Sequence, residues 1–565
     1  MKWVYPNISG DDVLDFSKRF GLSYLFTSIL LNRDLRSKDA LELYFNKEKV
    51  SLYDPFLMQD MRKATDIVIA ACQEKKNILI YGDYDVDGVT SASILYLFLK
   101  KLNENIFFYI PEREKEGYGV SKEGIDRAKE LEADLIITCD CGITAYEQVL
   151  YAKSLGIDMI VTDHHEQDEI LPDALAILNP KRRDCNYPFR FLCGAGVVYK
   201  LVEAICIDLY GNTHDAEEYL DLVAIGTAAD IVPLIDENRS LVREGLQRLR
   251  RGQCRLGILA LFNVCQMDVQ KISVMNIVFG IAPRLNAVGR MGSASRAITL
   301  LTTDDRKIAQ DYSRLLNSEN EERQKVERFV TEEALLQLNE KYGRNLPKAV
   351  VLAGPWHPGV IGIVSSKVKD KIHRPVFLLA LKDGEGKGSG RSLEGFDLHE
   401  ALSVCSENLL GFGGHEMAAG LTIKEEDIPL FEEQFLAYAE ENISDDMLEP
   451  TLKIEADLTI AEINMGLMDF LQDMEPFGPK NMRPKFSVKN VSTYHSALLK
   501  DKHLKFSIKG NGITINCIAW NMLEKFELIM DPGQRVDLAF VPTINEWNGM
   551  RNIQLVIKDI RPFKA

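Results

Sequence analysis

Four short apolar runs constrain this chain more than anything else in it: NILIY at 77–81, NIFFYI at 105–110, LIIT at 135–138 and MIVT at 159–162. Helix-length segments at 90–101, 121–131 (with Ser121 as N-cap) and 144–155 separate them. Strands that are apolar throughout, joined by helices at this spacing, predict a parallel sheet covered on both faces. Helices are expected at 195–209 and 216–229, and a long charged one follows at 304–342, with Leu315, Leu316, Val326, Phe329, Val330 and Leu336 as a sparse apolar stripe. Gly343 and Pro347 close it, and strands at 349–352 and 375–380 open a second α/β domain. Beyond Pro450 the pattern becomes alternating strands, LKFSI from Leu504, ITINCIAW from Ile513, VDLAF from Val536 and IQLVI from Ile553, with Asn511-Gly512 and Asn548-Gly549 as hairpin turns. That is the pattern of a small all-β barrel. The expected division is 1–50 as an N-terminal segment, 51–303, a connecting helix at 304–345, a smaller α/β domain at 346–445, and a barrel at 446–565.

The chemistry sits at the strand ends. YGDYDVDG follows the first run directly, and alternation along an extended segment would place Asp83, Asp85 and Asp87 on one side. LIIT runs into Cys139, Asp140 and Cys141, and MIVT into Asp163, His164 and His165. Clustered carboxylates need a compensating cation, and hard divalent ions such as Mg²⁺ or Mn²⁺ take oxygen ligands. Open parallel sheets bind ligands in the crevice beyond their carboxyl ends, where three of these strands deliver metal-competent side chains. DxDxDG also resembles a calcium loop, but a strand precedes it where an EF-hand has a helix. Taken singly, Asp140 also reads as a turn residue and Asp-His-His as a structural cluster. His164 to Glu166 is not the HExxH of a zinc protease, and no GxSxG elbow is present.

Composition narrows the class. The net charge of −17 over 565 residues argues against a nucleic-acid coat protein. Residues 451–565 nevertheless carry 15 Lys and Arg against 13 Asp and Glu, a balance of +2 that leaves −19 for residues 1–450. The ten cysteines contain no CxxC pair, so neither a zinc knuckle nor a disulfide framework is indicated. Without an apolar run of about 18 residues or a basic-then-apolar start, the chain is expected in the cytoplasm.

In their order, YGDYDVDG, CDCG, TDHH and GTAADIVPL (with Asp230) resemble the DHH phosphoesterase superfamily. PEREKEGYG at 111–119, PRLNAVGRMG at 283–292, WHPGVIGIVSSK at 356–367, KGSGRS at 387–392 and FGGHEMAAG at 412–420 extend the likeness along the chain and make it close to the RecJ family of bacterial single-strand-specific 5′→3′ exonucleases. The resemblance implies a DHH domain, a DHHA1 domain and an OB-fold. It also implies two divalent cations, Mn²⁺ or Mg²⁺, held by Asp83, Asp85, Asp87, Asp140, His164 and Asp230, with His165 and Asp87 in catalytic roles. Some superfamily members have His where Tyr81 stands here. Gly413, Gly414, His415, Ser389, Arg391, Ser392, Arg113 and Arg290 are implied as the 5′-phosphate and DNA-binding set, with Arg284 a competitor for Arg290. Trp520, Phe506 and Trp547 near Lys502, Lys505 and Arg551 suit strand binding by the barrel. The implied activity is hydrolysis of single-stranded DNA from the 5′ end to 5′-mononucleotides in DNA repair and recombination, by a monomer partnered with single-strand-binding protein and a RecQ-type helicase. A basic channel set in an acidic exterior predicts DNA binding that falls steeply with salt. The alternatives are a phosphodiesterase for short oligonucleotides or cyclic dinucleotides, an inorganic pyrophosphatase, and a non-enzymatic scaffold.

Overall fold

The computed structural model describes the whole chain except residues 47–51, 113–114, 292–293, 344, 511, 548 and 564–565. Its first sheet contains β1 (Ile78–Gly82), β2 (Ile106–Tyr109), β3 (Leu135–Cys139), β4 (Asp158–Thr162) and β5 (Ala176–Leu178), all parallel, in the order β2-β1-β3-β4-β5. Side chains alternate between two cores: Ile78 and Ile80 pack on one face, Leu79 and Tyr81 on the other. The strand order reverses between β1 and β3, which opens a crevice at their carboxyl ends. Helices α1 (Val86–Lys100), α2 (Gly194–Tyr210), α3 (Leu220–Ala229) and α4 (Asp236–Arg250) build the larger core. The helix expected over 216–229 is broken, its first part being a 3₁₀ segment, His214–Tyr219.

Helix α5 (Arg306–Tyr342) runs 37 residues from Asp305, whose side chain accepts from the Lys307 and Ile308 amides, to Gly343 at φ 54°. Its expected stripe holds only in part. Leu316 and Val330 are buried, but Leu315, Phe329 and Leu336 face solvent, and Ala334 and Leu338 carry the seam instead. The second sheet, with β6 (Val350–Gly354), β7 (Val376–Lys382), β8 (Glu385–Arg391), β9 (Gly411–His415) and β10 (Ala418–Lys424), has the order β9-β10-β8-β7-β6, and only β6 and β7 are parallel. Helix α6 (Pro358–Ile372) packs across it. A Cβ at Gly390 would meet the Phe377 ring at 2.4 Å, so β8 packs there only as glycine.

Five strands, Phe486–Leu499, His503–Gly510, Ile513–Ala519, Arg535–Trp547 and Met550–Pro562, close into a barrel through pairing of the first with the fourth. The hairpin glycines Gly512 and Gly549 have φ 76° and 75°, while Asn511 and Asn548 lie outside the described residues. The N-terminal segment belongs with this barrel. Lys2–Val4 pairs in parallel with Thr451–Lys453, Ile29 and Tyr44 enter the barrel core, and the Phe26 ring stacks on Phe470 at 4.0 Å. Among the described residues, no helix is long and apolar enough to cross a membrane.

Candidate metal centre and cleft

The DxDxD segment is not extended. Asp83 follows β1, Asp85 caps α1 by accepting from the Gly88 amide at 3.0 Å, and Asp87 lies in the first turn of the helix. The three carboxylates therefore converge through a strand-to-helix turn instead of by alternation. Gly88 is part of that turn, since a Cβ there would lie 2.5 Å from the Asp83 carbonyl. The amides of Gly194 and Ala195, at the start of α2, donate to Asp87 at 2.5 and 2.9 Å and fix its rotamer. Asp140 leaves β3 at φ 65°, and Asp230 ends α3. His164 reaches between them, with Nε2 3.1 Å from Asp140 Oδ1, 3.6 Å from Asp230 Oδ2 and 3.8 Å from Asp87 Oδ2.

Three ligand-competent groupings overlap here: Asp83 with Asp85 and Asp140; Asp87 with His164 and Asp230; and Asp140 with His164 and His165. Within each, donor atoms lie within 4.8 Å of one another. Asp83 Oδ1, Asp140 Oδ1, Asp230 Oδ2 and both His164 ring nitrogens are buried and make no hydrogen bond. Orphaned acceptors at this density are costly in a protein interior unless cations satisfy them. The donor set, carboxylate oxygens with one imidazole, fits Mn²⁺ or Mg²⁺.

Electrostatics points the same way. Burial, then the neighbouring Asp85, lifts Asp83 to about 8 and Asp87 to about 6. Burial and the Asp87 charge push Asp140 and Asp230 well above the carboxylate range. Burial, then His165, lowers His164 to about 3, so its imidazole is neutral and competent to ligate. Folded-state values raised in this way favour the metal-free protein only while the carboxylates hold protons, and that stability is lost as pH rises through them. Mn²⁺ should consequently raise the melting temperature more above about pH 8 than below about pH 6, the window set by Asp83 and Asp87. A shift independent of pH in calorimetry would contradict this.

Beside the cluster, Asp163 is buried yet held below its ordinary value, because the hydrogen bond and charge of His165 outweigh desolvation. Its Oδ1 lies 2.7 Å from His165 Nδ1 and accepts the His164 and His165 amides, and its Oδ2 accepts from Ile143. Burial lowers His165, but Asp163 more than offsets it, leaving a raised value suited to a charged imidazole. The Tyr118 hydroxyl stands 3.1 Å from His165 Nδ1 and donates to the Asp140 carbonyl at 3.4 Å. Lys181 pairs with Glu166 at 3.4 Å and adds positive potential at His164 and Asp230. Sequence reasoning grouped Asp163 with the metal-competent side chains and assigned no role to Tyr118 or Lys181. The pattern around Asp163 was readable, since an aspartate two positions before a histidine is well placed to orient it. Tyr81 packs in the core on the other face of the sheet, accepting from the Ser121 amide at 3.0 Å and donating to the Gly119 carbonyl at 3.3 Å.

Tyr118 also lines a cleft of about 700 Å³, which places the cleft beside the cluster. Across it stand Gly359 and Gly362 of α6, Ser389 and Arg391 of β8, and Gly413 and Gly414 of β9. Arg391 Nη1 donates to Ser389 Oγ at 3.2 Å, which couples the two side chains. The glycine-rich GGH segment is an exposed edge strand, because β10 pairs with all five residues of Gly411–His415. His415 is exposed at its end and outside the cleft lining. Ser392 departs from expectation: it is buried and its hydroxyl donates to the Phe396 carbonyl at 2.6 Å, so it does not face the cleft. Arg113 lies outside the described residues, and Arg290 stands in the helix Ala282–Met291. Arg284 is committed elsewhere, donating to Asn317 Oδ1 at 2.9 Å and the Gly280 carbonyl at 2.7 Å. In the barrel Phe506 is core, 1% exposed, and so unavailable for stacking, whereas Trp520 is 51% exposed with its edge toward His503.

Residues 77–227 match the DHH family, N-terminal domain; 346–444 match the DHHA1 domain; and 454–559 match the RecJ OB domain. The chain is 38% identical over 569 residues to the single-stranded-DNA-specific exonuclease RecJ of Bacillus subtilis (strain 168), covering 99% of this chain and 70% of that protein. It is 37% identical over 527 residues to the Escherichia coli (strain K12) protein of the same name, covering 89% and 91%. The crystal structure of RecJ in complex with Mn²⁺ from Thermus thermophilus superposes with a TM-score of 0.84 at 29% identity, over 100% of this chain and 80% of that one.

Proposed function

Because the chain belongs to the RecJ family of single-stranded-DNA-specific exonucleases, we propose that it removes 5′-mononucleotides from the 5′ end of single-stranded DNA at the centre described above. The observation that carries this reading is the orphaned, buried carboxylate–imidazole cluster opening onto a cleft whose far wall offers Arg391, Ser389 and bare glycine backbone. Divalent cations held by this cluster would lower the pKa of an attacking water and stabilise charge on the phosphoryl oxygens.

This chain's residues do the rest. Asp83, Asp85 and Asp140 form one corner of the cation site, and Asp87, His164 and Asp230 the other. The amides at the start of α2 hold the Asp87 carboxylate in place beside His164 and Asp230. Asp163 keeps His165 charged and oriented at the rim, where its ring can donate to a non-bridging oxygen of the scissile phosphate. Arg391, with Ser389, receives the terminal 5′-phosphate. The barrel, with Trp520 exposed, extends the path for an unpaired strand and disfavours the reading as a phosphodiesterase for short oligonucleotides. A single-strand-binding protein and an unwinding helicase are the partners this activity calls for.

The test is degradation of end-labelled strands with Mn²⁺ or Mg²⁺, comparing 5′-phosphate, 5′-hydroxyl and duplex ends. Mononucleotides from the 5′ end of single strands alone are expected; cutting confined to short oligonucleotides would overturn the proposal. Arg391→Ala should weaken use of 5′-phosphorylated ends by about tenfold or more, chiefly in KM, while 5′-hydroxyl ends change little. An equal loss on both ends would remove Arg391 from the terminal-phosphate site.

A further inference from the structure

Away from the catalytic cleft, a cavity of about 210 Å³ lies where the N-terminal helices, the first turns of α4 and the segment leading into the barrel meet. Arg33, Tyr44, Arg239, Ser240, Arg243 and Lys480 line it. Four basic side chains thus face one small space in a chain of net charge −17. Helix α4 also starts there without a side-chain cap, adding the positive end of its dipole.

The basic groups are unequally satisfied. Arg33 is committed, donating to Asn481 Oδ1 at 3.2 Å and pairing with Glu455 at 3.0 Å. Arg239, 4% exposed, donates from its Nη atoms to the Met474 and Tyr44 carbonyls at 2.9 and 3.3 Å and lies 4.1 Å from the centre of the Tyr44 ring, but its buried Nε makes no hydrogen bond. Arg243 donates from Nη1 to the Asn46 carbonyl. Its Nε and Nη2 are buried without a hydrogen-bond partner among the described residues, Glu244 standing 3.9 Å from Nε, a long ion pair but beyond hydrogen-bond distance. Asp236, the carboxylate in the wall, accepts from the Tyr53 hydroxyl at 3.1 Å. Buried guanidinium N–H groups without acceptors are costly, and an anion with several oxygens would satisfy them together.

We propose that this cavity binds a phosphoryl dianion, inorganic phosphate or the phosphate of a monoester, held by Arg239, Arg243 and Lys480, which fastens the N-terminal helices and the barrel to the catalytic domain. Its volume exceeds that of a phosphate and leaves room for a sugar against Tyr44, Leu35 and Leu43, but not for a strand. Inorganic phosphate and a nucleoside 5′-monophosphate share the required chemistry. The second is the product of the reaction proposed above, and only that identification rests on it; the site itself does not.

The experiment is thermal melting of the full chain in chelator, titrated with inorganic phosphate or with dAMP against chloride at matched ionic strength. A saturable rise in melting temperature is expected. In the Arg391→Ala background, where the terminal-phosphate site is disabled, a saturable rise should persist, Lys480→Gln should weaken its apparent affinity by about tenfold, and Arg243→Gln should abolish it. A full effect from phosphate alone identifies the inorganic ion; one that needs dAMP identifies the mononucleotide. No saturable rise, a rise indifferent to Lys480→Gln, or a rise lost in Arg391→Ala would overturn the proposal. If Arg243→Gln does not fold, the exposed Lys480 decides alone. Binding here does not require strand cleavage, so failure of the nuclease reading would leave this result separately visible.

Discussion

Asp140→Asn should reduce strand cleavage by roughly 10³-fold or more, because it removes an anionic oxygen from the centre that stabilises charge on the reacting phosphate. The exchange is nearly isosteric, and asparagine tolerates the left-handed backbone at φ 65°, so the turn after β3 survives. The metal-free variant should even melt higher than the native chain above neutral pH. Asp140 is buried among Asp87, Asp85, Asp230 and Asp83, and its charged form is what the fold resists. Cleavage rates and melting curves measured on the same preparation test both halves. Retention of cleavage within tenfold would remove Asp140 from the centre, and a lower metal-free melting point would contradict the electrostatic account.

Lys200→Met should destabilise the catalytic domain by about 3–5 kcal/mol, the usual consequence of stripping one partner from a buried charge network. Lys200 is fully buried in α2, its Nζ 2.8 Å from both Glu203 Oε2 and Glu237 Oε1 and donating to the Tyr53 carbonyl at 2.9 Å. Glu237 also accepts from the Tyr187 hydroxyl at 2.7 Å. Without the ammonium, two buried carboxylates lose their shared cation. Denaturant unfolding followed through the catalytic domain gives the magnitude, and adding Glu203→Gln to Lys200→Met should restore part of the loss. A midpoint unchanged by Lys200→Met would mean that the charge is solvated after all.

The parallel sheet was legible because strands buried on both faces leave uninterrupted apolar runs, and parallel topology then forces their carboxyl ends together. Asp83, Asp140 and His164 could be gathered on that ground alone. The geometry of Asp85 and Asp87 differs from the expectation because the helix starts earlier than residue 90; the readable cue is Asp85 as N-cap with the acidic Asp87 in the first turn. Ser392 was recoverable too, since side chains alternate along a strand and Ser389 and Arg391 occupy different registers from it. The edge strand Gly411–His415 was not recoverable. Glycine has little strand preference, and only pairing with β10 fixes its conformation. Nor could local pattern reveal that Ile29 and Tyr44 complete the core of a barrel beginning more than 400 residues later.

That last arrangement has a consequence for synthesis on the ribosome. Trp3 donates to Asp559, 556 positions further along the chain, and Lys2–Val4 can pair only once Thr451–Lys453 has emerged. At about 5–20 residues per second, the opening helices wait roughly half a minute to two minutes for their partners. During that interval the two α/β domains can form, while the apolar faces around Ile29 and Phe26 remain uncovered and open to chaperones. The nascent chain thus gains its catalytic centre before it gains the module that closes over both of its ends.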